Sequence, residues 1–206
     1  MLTAFNIHSN KVFQYLISHL VRKGGTIADI TYADGLAWKD FDNKKGFVIV
    51  KSDKRKTQQD VRKQTIEEFF KITKSESYDC IYFDPPHYFS DKVSKLNFKN
   101  KDLSDKKEIY TTEKEFKEMV TCVGENAYKI LKDNGILIIK MIDGYIGSKF
   151  YPNTFNMFIS VKNLEPRGHF ISVLNRRSGF PTVVQINHIN FLVFKKEKID
   201  TLAGRN

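Results

Sequence analysis

The sequence predicts an α/β fold built on a doubly wound, mostly parallel sheet with an antiparallel edge strand. Short apolar runs bounded by turn residues alternate with segments of helical periodicity, which is the order that crossover helices and a parallel sheet produce. The last two apolar runs follow one another without a helix, which favours an antiparallel pair. We expect a single domain, 1–206, because no repeat or low-complexity linker divides the chain.

Three segments have the apolar periodicity of helices. Ser9–Lys23 can be capped by Ser9 or Asn10 and ends at a pair of glycines. Arg62–Lys71 is predicted as a second helix. A third, long helix is predicted over residues 112–131, where a threonine precedes the periodic residues.

Short apolar runs between turn residues are predicted as strands. The clearest ends at a pair of prolines, which a central strand cannot contain. In chain order the predicted strands are Ile27–Thr31, Gly46–Lys51, Tyr78–Phe83, Ile136–Met141, Gly168–Leu174 and Ile189–Lys195.

The chain is strongly basic. It has 34 Lys and Arg residues against 24 Asp and Glu, a formal charge of +10. This charge favours a polyanionic partner, and nucleic acid over a membrane, because no basic amphipathic helix with an apolar aromatic face is evident. A lysine-rich surface without such a partner is the alternative.

Cysteine usage and apolar patterning bear on the compartment. Cys80 and Cys122 lie in a predicted strand and a predicted helix, which favours a reduced, cytoplasmic protein over a disulfide scaffold. The start of the sequence lacks the basic-then-apolar order of a signal peptide. The longest apolar stretch, Ile136–Ile142, is short and interrupted by Lys140, so no membrane span is expected.

A long connection at about 88–110 separates the third predicted strand from the third predicted helix. Six lysines lie in it among aromatic residues, a mixture that suits single-stranded or flipped-out bases, although a solvated insertion is the alternative. Together with a basic turn near the end of the chain, it predicts substrate contacts at Tyr88, Lys95, Lys99, Lys101, Arg176 and Arg177.

The segment Asp84-Pro85-Pro86-His87 follows the apolar run Tyr78–Phe83. The carboxyl end of a buried strand is where α/β sheets bind ligands. Proline fixes the backbone and removes a donor, so a carboxylate beside fixed carbonyl acceptors can grip an amino group by its two N–H bonds. The alternative is a strand-terminating turn.

Aspartates are also predicted at earlier strand ends. Asp29 closes the first strand, before a turn whose backbone N–H groups can approach a ligand, and Asp53 closes the second at a spacing that suits ribose hydroxyls. Asp60 is expected at a third strand end, against an adenine amino group. Each of the three can also be a helix cap or a turn residue.

These residues resemble a known family. Thr26–Trp38 is similar to the first motif of S-adenosylmethionine (SAM)-dependent DNA amino-methyltransferases of the small phage and prophage type, and 82–87 resembles their Asp-Pro-Pro-aromatic motif. Leu131–Asp143 and 187–196 resemble later segments of the same proteins. The sequence departs from the family at Ala33, where a glycine is usual, and at His87, where an aromatic residue is usual.

The resemblance implies a class I, Rossmann-like methyltransferase with SAM as cofactor and DNA, or alternatively RNA, as partner. It implies catalytic roles for Asp84, Pro85, Pro86 and His87. It also implies a cofactor site made of His8, Asp29, Thr31, Tyr32, Ala33, Gly35, Asp53, Asp60 and Asp84.

The implied reaction is methyl transfer to an exocyclic amino group, adenine N6 in preference to cytosine N4. Cytosine C5 methylation is excluded, because it needs a nucleophilic cysteine after a proline and neither cysteine follows one. No metal site is expected, because the histidines form no ligand-spaced cluster. The alternatives are an RNA or protein-glutamine amino-methyltransferase and a catalytically degenerate nucleic-acid-binding protein of the same fold.

Overall fold

The structure, a computed structural model, describes residues 2–39, 41, 46–54, 58–85, 112–146, 149–173 and 188–197. The predicted insertion at about 88–110 and the turn at 176–177 lie outside these residues. Within them, no helix has the length and apolar character that a membrane crossing requires.

The described residues form ten strands. They are β1 (Leu2–Phe5), β2 (Thr26–Asp29), β3 (Val48–Asp53), β4 (Arg62–Lys63), β5 (Tyr78–Phe83), β6 (Leu131–Met141), β7 (Gly144–Ile146), β8 (Lys149–Tyr151), β9 (Glu165–Val173) and β10 (His188–Lys195). Eight of them make one sheet in the order β1-β9-β10-β6-β5-β2-β3-β4, and β7 and β8 form a separate two-stranded pair.

The sheet confirms the predicted fold class. The pairs β2–β3, β3–β4, β2–β5, β5–β6 and β1–β9 are parallel, whereas β10 runs antiparallel to both of its neighbours, β6 and β9. The antiparallel strand predicted from the missing crossover helix is therefore present. It lies inside the sheet, however, because β9 is its outer neighbour and the edge is formed by β1, which the sequence analysis did not predict.

Among the described residues, four helices cover the two faces of the sheet: α1 (Ser9–Leu20), α2 (Ile66–Ile72), α3 (Glu113–Ile130) and α4 (Asn153–Ser160). One hydrophobic cluster joins α2, α3 and α4 to the sheet, and a second joins α1 and a short 3₁₀ helix, Leu36–Trp38, to the other face. Neighbouring strand residues such as Ile138 and Ile139 enter opposite clusters, because side chains alternate across a strand.

The helix predicted over Arg62–Lys71 is wrong in its first part. Arg62 and Lys63 pair with Ser52 and Asp53 as strand β4, and the helix begins only at Ile66. A capping box fixes that start, since Thr65 accepts a bond from the Glu68 N–H and the Glu68 carboxylate accepts one from the Thr65 N–H.

The direction of the chain through the sheet changes beside β2. From β2 the chain passes outward to β3 and β4, then returns to the other side of β2 as β5. The carboxyl ends of β2 and β5 therefore flank a crevice at the point where the strand order reverses. Open α/β sheets bind ligands at such a point.

Candidate active site

A cavity of about 650 Å³ opens at the carboxyl ends of β2, β3 and β5. The start of α1 and the turn after β2 form one wall, and the first residues of α2 and α3 form another. Its size suits a small cofactor together with part of a substrate. Of the residues predicted for the cofactor site, it is lined by His8, Asp29, Thr31, Tyr32, Ala33, Asp53 and Asp84.

Asp29 ends β2 as a buried carboxylate. Its Oδ2 accepts a 2.7 Å hydrogen bond from the indole Nε1 of Trp38, and its Oδ1 accepts one from the Thr31 N–H. The pKa of Asp29 is raised to about 7. Burial is the largest cause, these two bonds oppose it, and the nearby carboxylates of Asp84 and Asp53 add to it. Asp29 can therefore change its charge near neutral pH.

Asp53 ties the ends of β2 and β3 together. Its Oδ2 accepts a 2.9 Å hydrogen bond from the Ala33 N–H. Ala33 has a φ of +46°, in the left-handed region that favours glycine. Ala33 itself lines the cavity.

Asp84 follows β5 and is surrounded by polar groups. Its Oδ2 accepts hydrogen bonds from Lys140 Nζ at 2.7 Å and from the Tyr82 hydroxyl at 3.3 Å. Its backbone N–H donates to Thr31 Oγ1 at 2.7 Å. Thr31 thus links the turn after β2 to the Asp-Pro-Pro segment, which places Asp84 beside Asp29.

His8 lies at the start of α1, where its Nδ1 accepts a bond from the Asn10 N–H and caps the helix. Ser9 and Asn10 line the same wall of the cavity. The N-terminus of a helix favours negative charge, so this wall can hold a carboxylate.

Two predicted cofactor residues lie outside the cavity lining. Asp60 precedes the short strand β4 instead of ending a strand, and its exposed carboxylate pairs with Lys51. Gly35 has a φ of +69° and caps the start of the 3₁₀ helix that carries Trp38. It therefore contributes to the shape of the turn without lining the cavity.

Sequence reasoning missed several lining residues. Lys140 is the most informative, because a lysine inside the apolar run of β6 was a visible signal of a special position. A further group comes from the N-terminal parts of α2 and α3, which were not recognised as a cavity wall: Thr65, Ile66, Glu67, Glu115, Glu118 and Met119.

The remaining predicted residues lie outside the part of the chain that the structure describes. They are Pro86, His87, Tyr88, Lys95, Lys99, Lys101, Arg176 and Arg177. Pro85 is described; it is buried and lines the cavity next to Asp84.

The cavity is acidic although the chain is basic. Two lysines, Lys54 and Lys140, face seven carboxylates, those of Asp29, Asp34, Asp53, Glu67, Asp84, Glu115 and Glu118. Carboxylates at successive strand ends fit a ligand that carries positive charge and ribose hydroxyls, as SAM does. No group of three or more His, Cys, Asp or Glu side chains among the described residues is arranged to hold a metal ion.

No protein-family model matches the sequence, and a search among curated proteins finds no match. Solved structures do resemble the fold. A candidate rRNA-methylase from Clostridium thermocellum is 11% identical, with a TM-score of 0.55, over 93% of this chain and 98% of that protein. A SAM-dependent methyltransferase from Methanosarcina mazei is 10% identical, with a TM-score of 0.53, over 94% and 99%.

A third similar structure is TrmN from Thermus thermophilus. It is 9% identical, with a TM-score of 0.54, and the alignment covers 91% of this chain but only 48% of that protein. The chain thus spans about half the length of TrmN. Identities this low show the fold alone, and that fold is the Rossmann-like fold of class I methyltransferases.

Proposed function

We propose that the protein is a SAM-dependent methyltransferase that acts on the exocyclic amino group of a nucleobase in DNA, adenine N6 in preference to cytosine N4. One observation carries the proposal. Asp84, at the start of an Asp-Pro-Pro segment, lies in the same cavity as Asp29 and Asp53, where the strand order reverses.

The cofactor fits the wall made by α1, the turn after β2 and the end of β3. Asp53 accepts hydrogen bonds from ribose hydroxyls, as an acidic residue at this strand end does in dinucleotide-binding folds. Asp29 provides negative charge close to the cofactor's cationic groups. The start of α1, at His8, receives the cofactor's carboxylate.

The residues around Asp84 position the acceptor nitrogen. Its lone pair is conjugated into the ring, so the nitrogen is a poor nucleophile. Asp84 and the Pro85 carbonyl accept its two N–H bonds and draw it toward tetrahedral geometry. The increase in the rate of methyl transfer comes from positioning the nitrogen and from hydrogen-bond acceptors fixed where positive charge develops.

Bound SAM supplies a methyl group on a positively charged sulfur. The target nitrogen would take the methyl carbon from that sulfur, which would keep the electron pair of the broken bond. The Asp84 carboxylate, which accepts an N–H of the nitrogen, would then take the surplus proton and release it to solvent. A base in a duplex has to be flipped out to reach Asp84.

Two observations support a nucleic acid as the substrate. The chain carries a formal charge of +10, and one protein of similar fold is a candidate rRNA-methylase. Lys95, Lys99, Lys101, Arg176 and Arg177 are proposed to hold the phosphates, with Tyr88 and His87 beside the flipped base. The similarity to that rRNA-methylase makes RNA the alternative substrate.

The test measures methyl transfer from radiolabelled SAM to DNA, RNA and a glutamine-containing peptide, side by side. We expect transfer to DNA by the wild type. Asp84→Ala should abolish transfer while SAM affinity, measured by calorimetry, stays nearly unchanged. Asp60→Ala is the matched control, because it removes an exposed carboxylate outside the cavity.

Each other outcome would point to a different function for the protein. Transfer only to RNA or only to the peptide would replace DNA as the substrate. Binding of DNA and SAM without transfer would show a catalytically degenerate binding protein. Loss of both transfer and SAM affinity in Asp84→Ala would mean that Asp84 is structural.

A further inference from the structure

We propose that Lys140 reads the ring nitrogen next to the target amino group, so that Asp84 and Lys140 together select bases with an amino donor beside a ring acceptor. The inference rests on the proposed function. It assigns a specificity-determining role to a residue for which the sequence analysis had no role.

The sheet register places Lys140 next to Asp84. Phe83 on β5 pairs with Ile139 on β6, so the residues that follow them are neighbours at the carboxyl edge. The side chains of Lys140 and Asp84 are 17% and 22% exposed, and both line the cavity. The ammonium is thus a fixed feature of the cavity wall, largely withdrawn from water.

Among the residues that the structure describes, Lys140 uses one of its ammonium donors. A lysine ammonium has three N–H donors and no acceptor. Among the described residues its hydrogen bond goes to Asp84 Oδ2, at 2.7 Å. Tyr82 donates to the same oxygen, so the carboxylate is held on that side by two donors. The acceptor for a substrate N–H and a donor beside it therefore lie next to each other in the wall.

This arrangement matches one pattern on a base edge. In adenine the amino group at C6 is next to N1, and in cytosine the amino group at C4 is next to N3, so both bases present a donor beside an acceptor. In guanine the amino group at C2 lies between N1–H and N3. On the Watson–Crick edge its neighbour is the N1–H, which would point at the ammonium, and N3 lies on the sugar side of the base. Thymine and uracil have no amino group for Asp84.

The pair therefore separates adenine and cytosine from guanine but does not separate them from each other. A site built around a hydrogen bond rejects a ligand that leaves its buried polar groups unpaired. The charge of Lys140 also balances Asp84 beside Asp29, and that structural role alone would need no donor directed at the base. Replacing the ring nitrogen N1 of adenine with a C–H group distinguishes the two roles.

The experiment uses two pools of random single-stranded oligonucleotides, one with adenine and one with 1-deazaadenine, in which a C–H replaces N1. Methyl transfer is measured with the wild type, Lys140→Met and Lys140→Arg. Lys54→Met is the matched control, because Lys54 also lines the cavity but makes no bond to Asp84. Binding of both pools to protein loaded with S-adenosylhomocysteine is measured by fluorescence anisotropy. A variant that transfers no methyl group then still shows whether it distinguishes the two pools.

With the wild type and with Lys54→Met, we expect 1-deazaadenine to lower kcat/KM by roughly ten- to a hundred-fold, the range for a hydrogen bond to a charged group. With Lys140→Met the two pools should be used, or bound, equally. Lys140→Arg keeps a donor and should retain part of the discrimination. SAM affinity is measured by calorimetry in all three variants, so that an effect of the lost charge on the cofactor is separated from the loss of base discrimination.

Two results separate the inference from the proposed function. Equal use of both pools by the wild type, or equal discrimination in Lys140→Met, would overturn the role of Lys140 while transfer to adenine upholds the proposed function. No transfer by the wild type to any base would overturn the proposed function, and the inference with it.

Discussion

The indole Nε1 of Trp38 donates a 2.7 Å hydrogen bond to Oδ2 of Asp29. The indole is buried, and its ring packs edge-on against Phe13 of α1, with 4.9 Å between the ring centroids. The acidic residue at the end of β2 is thus held by a side chain from the 3₁₀ helix that follows the turn. Trp38 acts on the cavity through the position and charge of this carboxylate.

We predict that SAM affinity rises from pH 6 to pH 8, with a midpoint near 7. Burial, the largest cause, raises the pKa of Asp29 to about 7, and the ionised form attracts a cationic ligand. Calorimetry across this range should show the rise in the wild type and a flat profile in Asp29→Asn. Trp38→Phe removes a bond that lowers the pKa, so the midpoint should move upward by about one pH unit. A midpoint unchanged by Trp38→Phe would contradict this.

The same pKa has a consequence for folding. Because the folded pKa lies above the ordinary value of 3.8, the folded protein holds this proton more tightly than the unfolded chain. Asp29 therefore destabilises the fold increasingly as the pH rises from about 4 to 7. Asn at this position should show a weaker loss of thermal stability over that interval.

Asp53→Ala should weaken SAM binding by roughly 1.5–3 kcal/mol, the range for a hydrogen bond to a charged group. The carboxylate is buried in the cavity wall and also accepts a bond from the Ala33 N–H. Calorimetry with Asp60→Ala provides the comparison, since that exposed carboxylate lies outside the cavity lining and its loss should leave affinity unchanged. The reverse pattern would assign the ribose to Asp60.

Ala33→Gly should stabilise the protein by about 1 kcal/mol, because an L-residue in the left-handed region is strained by roughly that amount. Urea unfolding measures the change. Asn163→Gly is the control, with a φ of +63° away from the cavity, and should gain less because asparagine tolerates this conformation. A loss of stability in Ala33→Gly would show that the methyl group packs usefully in the turn.

Gly124→Ala should destabilise the protein by about 1–3 kcal/mol, the usual cost of overpacking. An added Cβ would lie 2.1 Å from the backbone oxygen of Ser160, where α3 crosses the end of α4. At Gly46 the same substitution meets nothing within 4 Å and should have little effect. Equal unfolding midpoints for the two variants would mean that α4 can move away from α3.

Replacing Lys95, Lys99 and Lys101 with Ala should flatten the salt dependence of DNA binding. Each phosphate contact contributes about 0.9 to the slope of log affinity against log salt on duplex DNA, so the slope should fall by up to about three. SAM affinity should not change. A triple variant at Lys114, Lys117 and Lys162, which pair with glutamates, controls for the lost charge. A wild-type slope in the first variant would leave DNA binding to Arg176 and Arg177.

The parts of the fold that local sequence determines were predictable. The run Tyr78–Phe83 forms β5 with the expected bounds, since its apolar residues enter both cores and prolines follow it. Asp29, Asp53 and Asp84 were predictable from their positions, because each ends or follows a strand with an apolar run. The sequence singled out Ala33 because the resembled family has a glycine there. Its positive φ is a backbone conformation that favours glycine.

The features that the sequence did not predict depend on contacts between residues far apart in the chain or on helix starts without a cap signal. β4 has two exposed, basic residues, and only their pairing with Ser52 and Asp53 makes them a strand, so Asp60 was expected on the wrong side of it. The bond between Asp84 and Lys140 joins residues 56 positions apart and depends on the register of β5 against β6. α4 lacks a side-chain N-cap bond and therefore a clear start signal.

The pairing of β1 with β9 affects how the protein is made. Leu2 is in register with His169 and Phe5 with Ser172, so the first strand cannot dock until β9 has left the ribosome. At roughly 5–20 residues per second this delay is on the order of ten to thirty seconds. During synthesis the four residues of β1 stay without their partner strand and can pair with other chains. Slower translation at low temperature should prolong that exposure.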